Sequence, residues 1–202
     1  MNDKKHWYDG KFYDKFIAPN QDKIFEQIIK IIAKDTLILD VGCGTGRLAF
    51  QLSGHCKKIV GVDLSSKNIA VANMNHNSEF NNVEFLHGSI AEVKQKYSYK
   101  FDYAVLTFVI HEVPEKERLD LLTSIKSVCG KIIICDYIAP TPKSIWGKQN
   151  VVVEFLAGKD HYMNFKNYIK NGGLYYLVKE ANLEKKFEVK NQPQTTHLVV
   201  LE

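Results

Sequence analysis

The stretch that decides the fold is residues 37–46, Leu37-Ile38-Leu39-Asp40-Val41-Gly42-Cys43-Gly44-Thr45-Gly46. An apolar run ends in an acid and continues into three alternating glycines. Glycine adopts positive φ and has no Cβ, so the backbone can pass close to a ligand there. A strand that leads through such a turn into a helix predicts a nucleotide-sized crevice lined by backbone N–H groups.

Apolar strands and amphipathic helices alternate from residue 36 to residue 138. The predicted strands are Thr36–Val41, Lys58–Leu64, Val83–Gly88, Phe101–Ile110 and Lys131–Ile138. The predicted helices are Gly46–Ser53, Ser66–Asn77, Ala91–Lys96 and Glu115–Cys129, after a first helix that begins near Asp22. Strands this apolar, separated by helices, predict a parallel sheet covered on both faces.

The pattern changes after Ile138. Three further helices are predicted at about Lys148–Ala157, Tyr162–Lys170 and Leu174–Ala181. Two final strands, Phe187–Val189 and His197–Leu201, are joined by a connection too short for a parallel crossover. We therefore expect these two strands to be antiparallel neighbours.

Composition excludes several classes of protein. The chain has 202 residues, 45% of them hydrophobic, and a net charge of +4 without a long run of like charges, so nucleic acid is not the expected partner. It has no long apolar segment that would predict a membrane span or a signal region. The four cysteines are scattered without metal-ligand spacing, which favours reduced thiols in a cytoplasmic protein and no metal site.

The glycine turn differs from two common nucleotide-binding motifs. Arg47 occupies the position of the third glycine in the dehydrogenase fingerprint, where a large cation would crowd the helix, and no P-loop Lys-Ser/Thr follows. An ordinary tight turn between strand and helix is the alternative. Asp40, at the carboxyl end of the strand, suits a ligand with an ammonium group.

Other candidate ligand contacts follow the next two strands. Asp63 ends the second strand and could accept hydrogen bonds from both hydroxyls of a ribose. Alternatively, Asp63 or Ser65 caps the following helix. Ser89, after the third strand, is equally well interpreted as a ligand contact or as an N-cap.

The end of the fourth strand carries a further set of candidates. Phe108 would place a backbone carbonyl at the ligand edge of the sheet, and His111 and Glu112 would point into or beside the crevice. The alternative for His111 is a histidine that caps the next helix or is hydrogen-bonded at the strand end.

Taken together, these residues resemble the class I S-adenosylmethionine-dependent methyltransferases. Leu39–Gly46 resembles the first motif of that family, and Asp63 matches its ribose-binding acid. Gly88-Ser89-Ile90 falls where the family often has Gly-Asp-x, and Phe101–Val105 resembles the start of its fourth strand. The resemblance covers about residues 36–138.

The resemblance implies a Rossmann-like, doubly wound α/β fold with a seven-stranded, mostly parallel sheet and an antiparallel last strand. It implies one domain over 1–202, with an N-terminal lid and helix at 1–34 and a helical substrate-side insertion at 139–182. The implied cofactor is S-adenosylmethionine. The residues expected to bind it are Asp40, Gly42, Cys43, Gly44, Asp63, Leu64, Ser89, Ile90 and Phe108.

Four residues are the catalytic candidates. His111 and Glu112 could act as a base toward the methyl acceptor. Tyr8 and Tyr13 could fold over the donor as a lid and gain cation–π attraction to its sulfonium, unless the aromatic N-terminal segment only covers the core. His161 and Asn164, in the insertion, are possible acceptor contacts, although Asp160 could equally cap a plain helix there.

The sequence thus predicts a methyltransferase that acts on a small-molecule acceptor. The fourth strand does not end in the Asn/Asp-Pro-Pro-aromatic sequence used for amino groups of nucleic-acid bases. The alternatives are an RNA or protein methyltransferase, and a non-catalytic S-adenosylmethionine-binding protein. Arg47 argues against a nicotinamide-dependent oxidoreductase.

Overall fold

The computed structural model describes Asp3, Asp9, Gly10, Lys11, Lys15 and residues 21–202. The predicted lid tyrosines, Tyr8 and Tyr13, lie outside the described residues, so their roles stay predictions. Among the described helices, none combines the length and the apolar character that a membrane span requires.

Seven strands form one sheet. They are β1 Leu37–Val41, β2 Lys58–Asp63, β3 Val83–His87, β4 Phe101–Thr107, β5 Cys129–Tyr137, β6 Lys185–Lys190 and β7 Thr196–Leu201. Their order in the sheet is β3-β2-β1-β4-β5-β7-β6, and β7 is antiparallel to both β5 and β6. The predicted Rossmann-like α/β fold with an antiparallel last strand is confirmed.

Eight α-helices connect and flank these strands in the described part of the chain. They are α1 Asp22–Ile31, α2 Arg47–Leu52, α3 Ser66–Asn75, α4 Ile90–Lys96, α5 Glu115–Val128, α6 Ile145–Ala157, α7 Lys159–Lys170 and α8 Gly173–Glu180. The chain forms two compact units, residues 1–105 with 128–130 and residues 106–127 with 131–202. The prediction of a single domain with a lid and an insertion stays a prediction.

The first unit is built around β1 and β2. The two strands pair in parallel, with Leu37 opposite Lys58 and Val41 opposite Val62. Ile38, Leu39 and Val60 are completely buried, as expected for strands covered on both faces. Burial of such side chains contributes about 1.5–3 kcal/mol each, which holds the carboxyl ends of the two strands side by side.

The turn after β1 depends on glycine. Gly42, Gly44 and Gly46 have φ of 70°, 55° and 82°, a region that L side chains rarely adopt. A Cβ on Gly46 would also lie 2.3 Å from the Phe85 ring. The chain can therefore enter α2 at this angle only where the third position of the turn has no side chain.

Arg47, at the position of the third glycine in the dehydrogenase fingerprint, directs its side chain to α1. Its guanidinium makes two hydrogen bonds of 2.7 Å to the carboxylate of Asp22 in α1, and both side chains remain partly exposed. The guanidinium thus points away from the strand and toward the neighbouring helix, where it lowers the pKa of Asp22.

Several predicted boundaries were wrong by a few residues. β4 ends at Thr107 rather than at Ile110, because Phe108 has a φ of 56° and a short 3₁₀ helix follows at Ile110–Glu112. α6 begins at Ile145 because Ser144 caps it, accepting a hydrogen bond from the Gly147 N–H. The N-cap residue of α7 is Gly158, so the alternative in which Asp160 caps that helix is wrong.

The glycine turn generates a stability prediction. We expect Gly46→Ala to lower the free energy of unfolding by at least about 2 kcal/mol, because it combines left-handed strain with a clash against Phe85. Gly54→Ala is the matched control, since nothing lies within 4 Å of a Cβ at Gly54. Urea denaturation of both variants measures the difference. Equal stabilities would contradict the role assigned to the turn.

Candidate functional site

The first candidate site begins at the carboxyl end of β1. Asp40 is 1% exposed, and both of its carboxylate oxygens are buried without a hydrogen bond to any residue that the structure describes. Burial, together with the negative charge of Asp63, raises the pKa of Asp40 to about 7. A buried carboxylate in this state favours a cationic ligand group, which would supply the missing partner.

Asp63, at the end of β2, is oriented by two backbone N–H groups. Its Oδ2 atom accepts a hydrogen bond of 2.8 Å from Gly44, and its Oδ1 atom accepts one of 2.7 Å from Ser65. A carboxylate oxygen carries more than one lone pair, so accepting a backbone N–H does not by itself exclude a hydroxyl donor. The structure thus brings Asp40, the glycine turn and Asp63 together, as the sequence predicted.

The N-cap of α3 is Ser65, not Asp63. The Ser65 hydroxyl accepts a hydrogen bond of 3.3 Å from the Asn68 N–H. Of the two capping alternatives considered for this segment, the one that involves Ser65 is confirmed. Asp63 is therefore not needed as a side-chain cap, and Leu64 beside it keeps 38% of its surface exposed.

The Cys43 side chain packs in the interior of the protein. Cys43 is buried, and its Sγ atom lies 2.9 Å from where a Cβ on Gly61 would stand, so the thiol packs against β2. Burial raises the pKa of this thiol well above its usual value, which keeps it neutral.

Ser89 is the N-cap of α4. It accepts a hydrogen bond from Ala91 and donates one to Glu92 in a capping box, which confirms the alternative noted for it. Ile90, which follows Ser89, is buried. Contact of Ser89 and Ile90 with an adenine ring stays a prediction.

The second unit contains a strained residue directly after β4. Phe108 has a φ of 56°, which is rare for a bulky side chain, and its N–H donates to the Cys135 carbonyl at 2.9 Å. Its ring packs against Tyr137 at 5.5 Å between centroids. Strain of this kind concentrates at functional positions, so Phe108 remains a candidate.

Five side chains of the second unit form what we call the histidine–carboxylate cluster: His111, Glu112, Asp136, Glu154 and His161. His111 Nδ1 lies 2.7 Å from Asp136 Oδ1, and His111 Nε2 lies 3.4 Å from Glu154 Oε2. His161 Nδ1 lies 2.7 Å from Glu154 Oε2, and His161 Nε2 lies 2.9 Å from Glu112 Oε1. One glutamate thus lies between two imidazoles, and a second carboxylate contacts each ring.

The electrostatics of the cluster follow from this arrangement. Burial alone would lower the pKa of His111, but Asp136 and Glu154 outweigh it and raise the pKa well above its usual value. In the same way, burial is outweighed at His161, whose pKa rises to about 9 through Glu112 and Glu154. The pKa of Glu154 is held far below its usual value by the two histidines, against the effect of burial.

Arg118, buried at 2% exposure, joins the two segments that carry the histidines. Its guanidinium donates to the backbone carbonyls of His111 and Val113, at 3.4 and 2.9 Å. It also donates to the carbonyl of Asn164 and the side chain of Asn167 in α7, at 2.7 and 2.8 Å. The backbone around His111 is thereby tied to the helix that holds His161.

Sequence reasoning found part of this cluster. It singled out His111, Glu112 and His161, and also Asn164, whose side chain donates to the Glu112 carbonyl at 2.8 Å. It missed Asp136 and Glu154. Each of these is a single acid within an apolar run, and an isolated acid in a predicted core element was the signal that could have found it.

The catalytic roles proposed for His111 and Glu112 stay predictions, but their surroundings differ. The His111 side chain is 2% exposed and hydrogen-bonded to Asp136 of β5, so the alternative of a histidine hydrogen-bonded near the strand end describes its contacts. The Glu112 side chain is 26% exposed. Of the two, Glu112 is the residue that a ligand could reach.

Comparison with known proteins supports the family suggested by the motifs. Residues 38–131 match the family model described as a methyltransferase domain. The chain is 29% identical over 154 residues to a demethylmenaquinone methyltransferase of Oceanobacillus iheyensis, an alignment that covers 69% of this chain and 64% of that protein. It is 25% identical over 178 residues to a ubiquinone biosynthesis O-methyltransferase of Dechloromonas aromatica, covering 83% and 72%.

The chain thus spans less than two thirds of the first of these relatives. Among solved structures, the magnesium protoporphyrin IX methyltransferase of Synechocystis with bound SAH aligns with a TM-score of 0.64 at 15% identity, over 95% of this chain and 87% of that one. At that identity the likeness shows the fold alone. The match of residues 38–131, somewhat less than half of the chain, and the methyltransferase relatives support a class I S-adenosylmethionine-dependent methyltransferase.

Proposed function

We propose that this protein binds S-adenosylmethionine and transfers its methyl group to a small-molecule acceptor. The observation that carries the proposal is the buried Asp40 carboxylate, which lies beside the glycine turn and makes no hydrogen bond to a described residue. The amino-acid end of S-adenosylmethionine carries an ammonium group that matches this carboxylate in charge. The match of residues 38–131 to a methyltransferase family model agrees with that ligand.

Asp63 is the proposed ribose contact. Its two carboxylate oxygens are already oriented by the N–H groups of Gly44 and Ser65, so little side-chain entropy is lost when the two ribose hydroxyls donate to it. Leu64, partly exposed next to Asp63, would pack against the adenine. Gly42 and Gly44 allow the backbone to approach the methionine portion closely.

The chemistry requires positioning above all. When bound, S-adenosylmethionine supplies a methyl group on a sulfonium sulfur, which a nucleophile can displace in line. The contribution of the chain is to hold the donor at Asp40 and Asp63 in one orientation. Such positioning contributes as much as about 7–11 kcal/mol to lowering a barrier in favourable cases.

The proposed acceptor is a small apolar molecule. By their names, one of the two relatives above methylates demethylmenaquinone and the other is an O-methyltransferase of ubiquinone biosynthesis. In this chain, α6 exposes large apolar side chains, including Trp146, Phe155 and Leu156, which suit an apolar acceptor. Glu112 is the proposed acceptor-facing acid, since its side chain is partly exposed.

The donor site is tested by calorimetry with S-adenosylhomocysteine. We expect Asp63→Asn to weaken binding about 10- to 100-fold, because a hydrogen bond to a charged group contributes about 1.5–3 kcal/mol. The matched control is Asp102→Asn. Asp102 also accepts a backbone hydrogen bond, from Leu37 at 2.7 Å, but at the opposite end of β1. Unchanged affinity in Asp63→Asn, or absence of binding by the unaltered protein, would refute the proposal.

Asp40 provides a pH-dependent test on the ligand-free protein. Its pKa is about 7 in the folded state against 3.8 for an ordinary aspartate, so between these values the folded state holds one proton more than the unfolded state. The free energy of unfolding should therefore fall as the pH rises from about 4 to about 7, by an amount on the order of 4 kcal/mol.

Asp40→Asn removes this contribution while keeping the shape of the side chain. We expect its stability, relative to the unaltered protein, to increase across that pH window and to level off above it. Urea denaturation at a series of pH values measures both curves. If the two curves run parallel, Asp40 is not the buried, proton-holding group that the ligand site requires.

The acceptor class is tested by transfer of a labelled methyl group. We expect label in products of apolar phenolic and demethylated quinol acceptors, and none in bulk tRNA or unfolded protein offered in parallel. Label in RNA or protein alone would contradict the small-molecule acceptor. Tight binding of S-adenosylhomocysteine without transfer to any acceptor would instead identify a non-catalytic binding protein.

A further inference from the structure

We propose that His111, Glu154 and His161 bind one divalent transition-metal ion, for which zinc is the probe. One ligand atom from each of these three residues lies within 4.8 Å of the others, and all three residues are buried. They come from three different elements: the 3₁₀ helix after β4, α6 and α7. The site does not rest on the proposed function, because none of its ligands belongs to the proposed donor site.

The orientation of the two imidazoles is the main argument. Asp136 contacts the Nδ1 atom of His111, and Glu112 contacts the Nε2 atom of His161. The remaining nitrogen of each ring faces the same oxygen, Glu154 Oε2, at 3.4 and 2.7 Å. Metal-binding histidines almost always have a carboxylate or carbonyl on the nitrogen away from the ion, and here both rings have one.

Glu154 is prepared to act as a ligand through one oxygen. The Tyr137 hydroxyl donates a hydrogen bond of 2.6 Å to Oε1, which leaves Oε2 directed at the two histidines. The carboxylate is therefore held in one orientation before any ion arrives. A ligand oriented in this way loses little conformational freedom on binding.

The distances between the proposed ligand atoms suit a transition metal. Ligands bound tetrahedrally to zinc at about 2.0–2.1 Å lie about 3.3–3.4 Å from one another, close to the 3.4 Å between His111 Nε2 and Glu154 Oε2. His111 Nε2 is buried, and its contact with Glu154 Oε2 is an ion pair at 3.4 Å, a separation that an ion could bridge. The contact of 2.7 Å between His161 and Glu154 would open slightly on binding.

The donor set selects the kind of metal. Two imidazoles and one carboxylate suit zinc and its neighbours in the first transition row, whereas magnesium and calcium prefer oxygen ligands. Three protein ligands also leave a fourth position for a water molecule or a substrate oxygen, as in catalytic zinc sites. The three carboxylates around the two rings add the negative charge that stabilises a divalent cation.

The test uses the full chain, stripped of metal with a chelator and kept reduced with a phosphine. Titration with zinc chloride by calorimetry should show one ion per chain, with a dissociation constant at or below about 1 μM. Glu154→Gln and His161→Gln should each weaken binding by roughly 100-fold or more. Glu112→Gln, which alters only the carboxylate on the far side of His161, should weaken it about 10-fold.

His197→Gln is the matched control. His197 is also completely buried, and its Nδ1 atom lies 2.8 Å from Glu188 Oε1, but the described residues place no second histidine in that pair. This variant should bind zinc like the unaltered protein. Circular dichroism and thermal unfolding establish that each variant is folded.

Cobalt provides a second measurement that needs no variant. The cobalt-loaded protein should show the visible bands of a four-coordinate site with nitrogen and oxygen ligands. Sulfur-to-cobalt charge transfer would place the ion on cysteines and overturn the proposal. So would the absence of zinc binding, or equal binding by Glu154→Gln and the unaltered protein. S-adenosylhomocysteine binding, measured on the same preparation, reports on the proposed function separately.

Discussion

The left-handed backbone of the glycine turn is the constraint on which the first unit depends. Because Gly42, Gly44 and Gly46 all adopt positive φ, the chain reverses within a few residues and enters α2 against the Phe85 ring. The same conformation turns the Gly44 N–H toward Asp63. In the proposed donor site, the backbone conformation of the turn sets the direction of its N–H groups, and the carboxylates of Asp40 and Asp63 complete the site.

Electrostatics distinguish the two candidate sites. At Asp40 the structure buries a carboxylate next to a second negative charge, which raises the pKa of Asp40 and favours a cationic ligand group beside it. In the histidine–carboxylate cluster, charges of both signs are buried together and compensate one another. The first arrangement favours an organic cation, whereas in the second a metal ion would have to displace the protons of the two imidazoles.

The fold could be predicted, and the residues of the proposed donor site could be singled out, because their signals are local. The strand, the acid and the three glycines lie within residues 37–46, and the short connection before β7 sufficed to predict the antiparallel pair. The start of α6 was missed because a single serine, Ser144, sets it. The end of β4 was predicted three residues too late, because the sequence around a bulky residue such as Phe108 does not indicate a positive φ.

The histidine–carboxylate cluster could be predicted only in part, since its members are distant in the chain. His111, Asp136, Glu154 and His161 approach one another only after β5, α6 and α7 have packed, and no spacing along the sequence encodes that approach. The sequence predicted no metal site, because the cysteines and histidines have no metal-ligand spacing along the chain. The ligands now proposed are imidazoles and a carboxylate from three separate elements.

The buried guanidinium of Arg118 has a consequence for how this protein can change. Three of its hydrogen bonds go to main-chain carbonyls, so they do not depend on which side chains stand at positions 111 and 164. The separation between the segment at 111 and the helix at 161 is thereby set by the backbone. Mutation can therefore replace the imidazoles of this chain at an unaltered backbone spacing, provided that the arginine is retained.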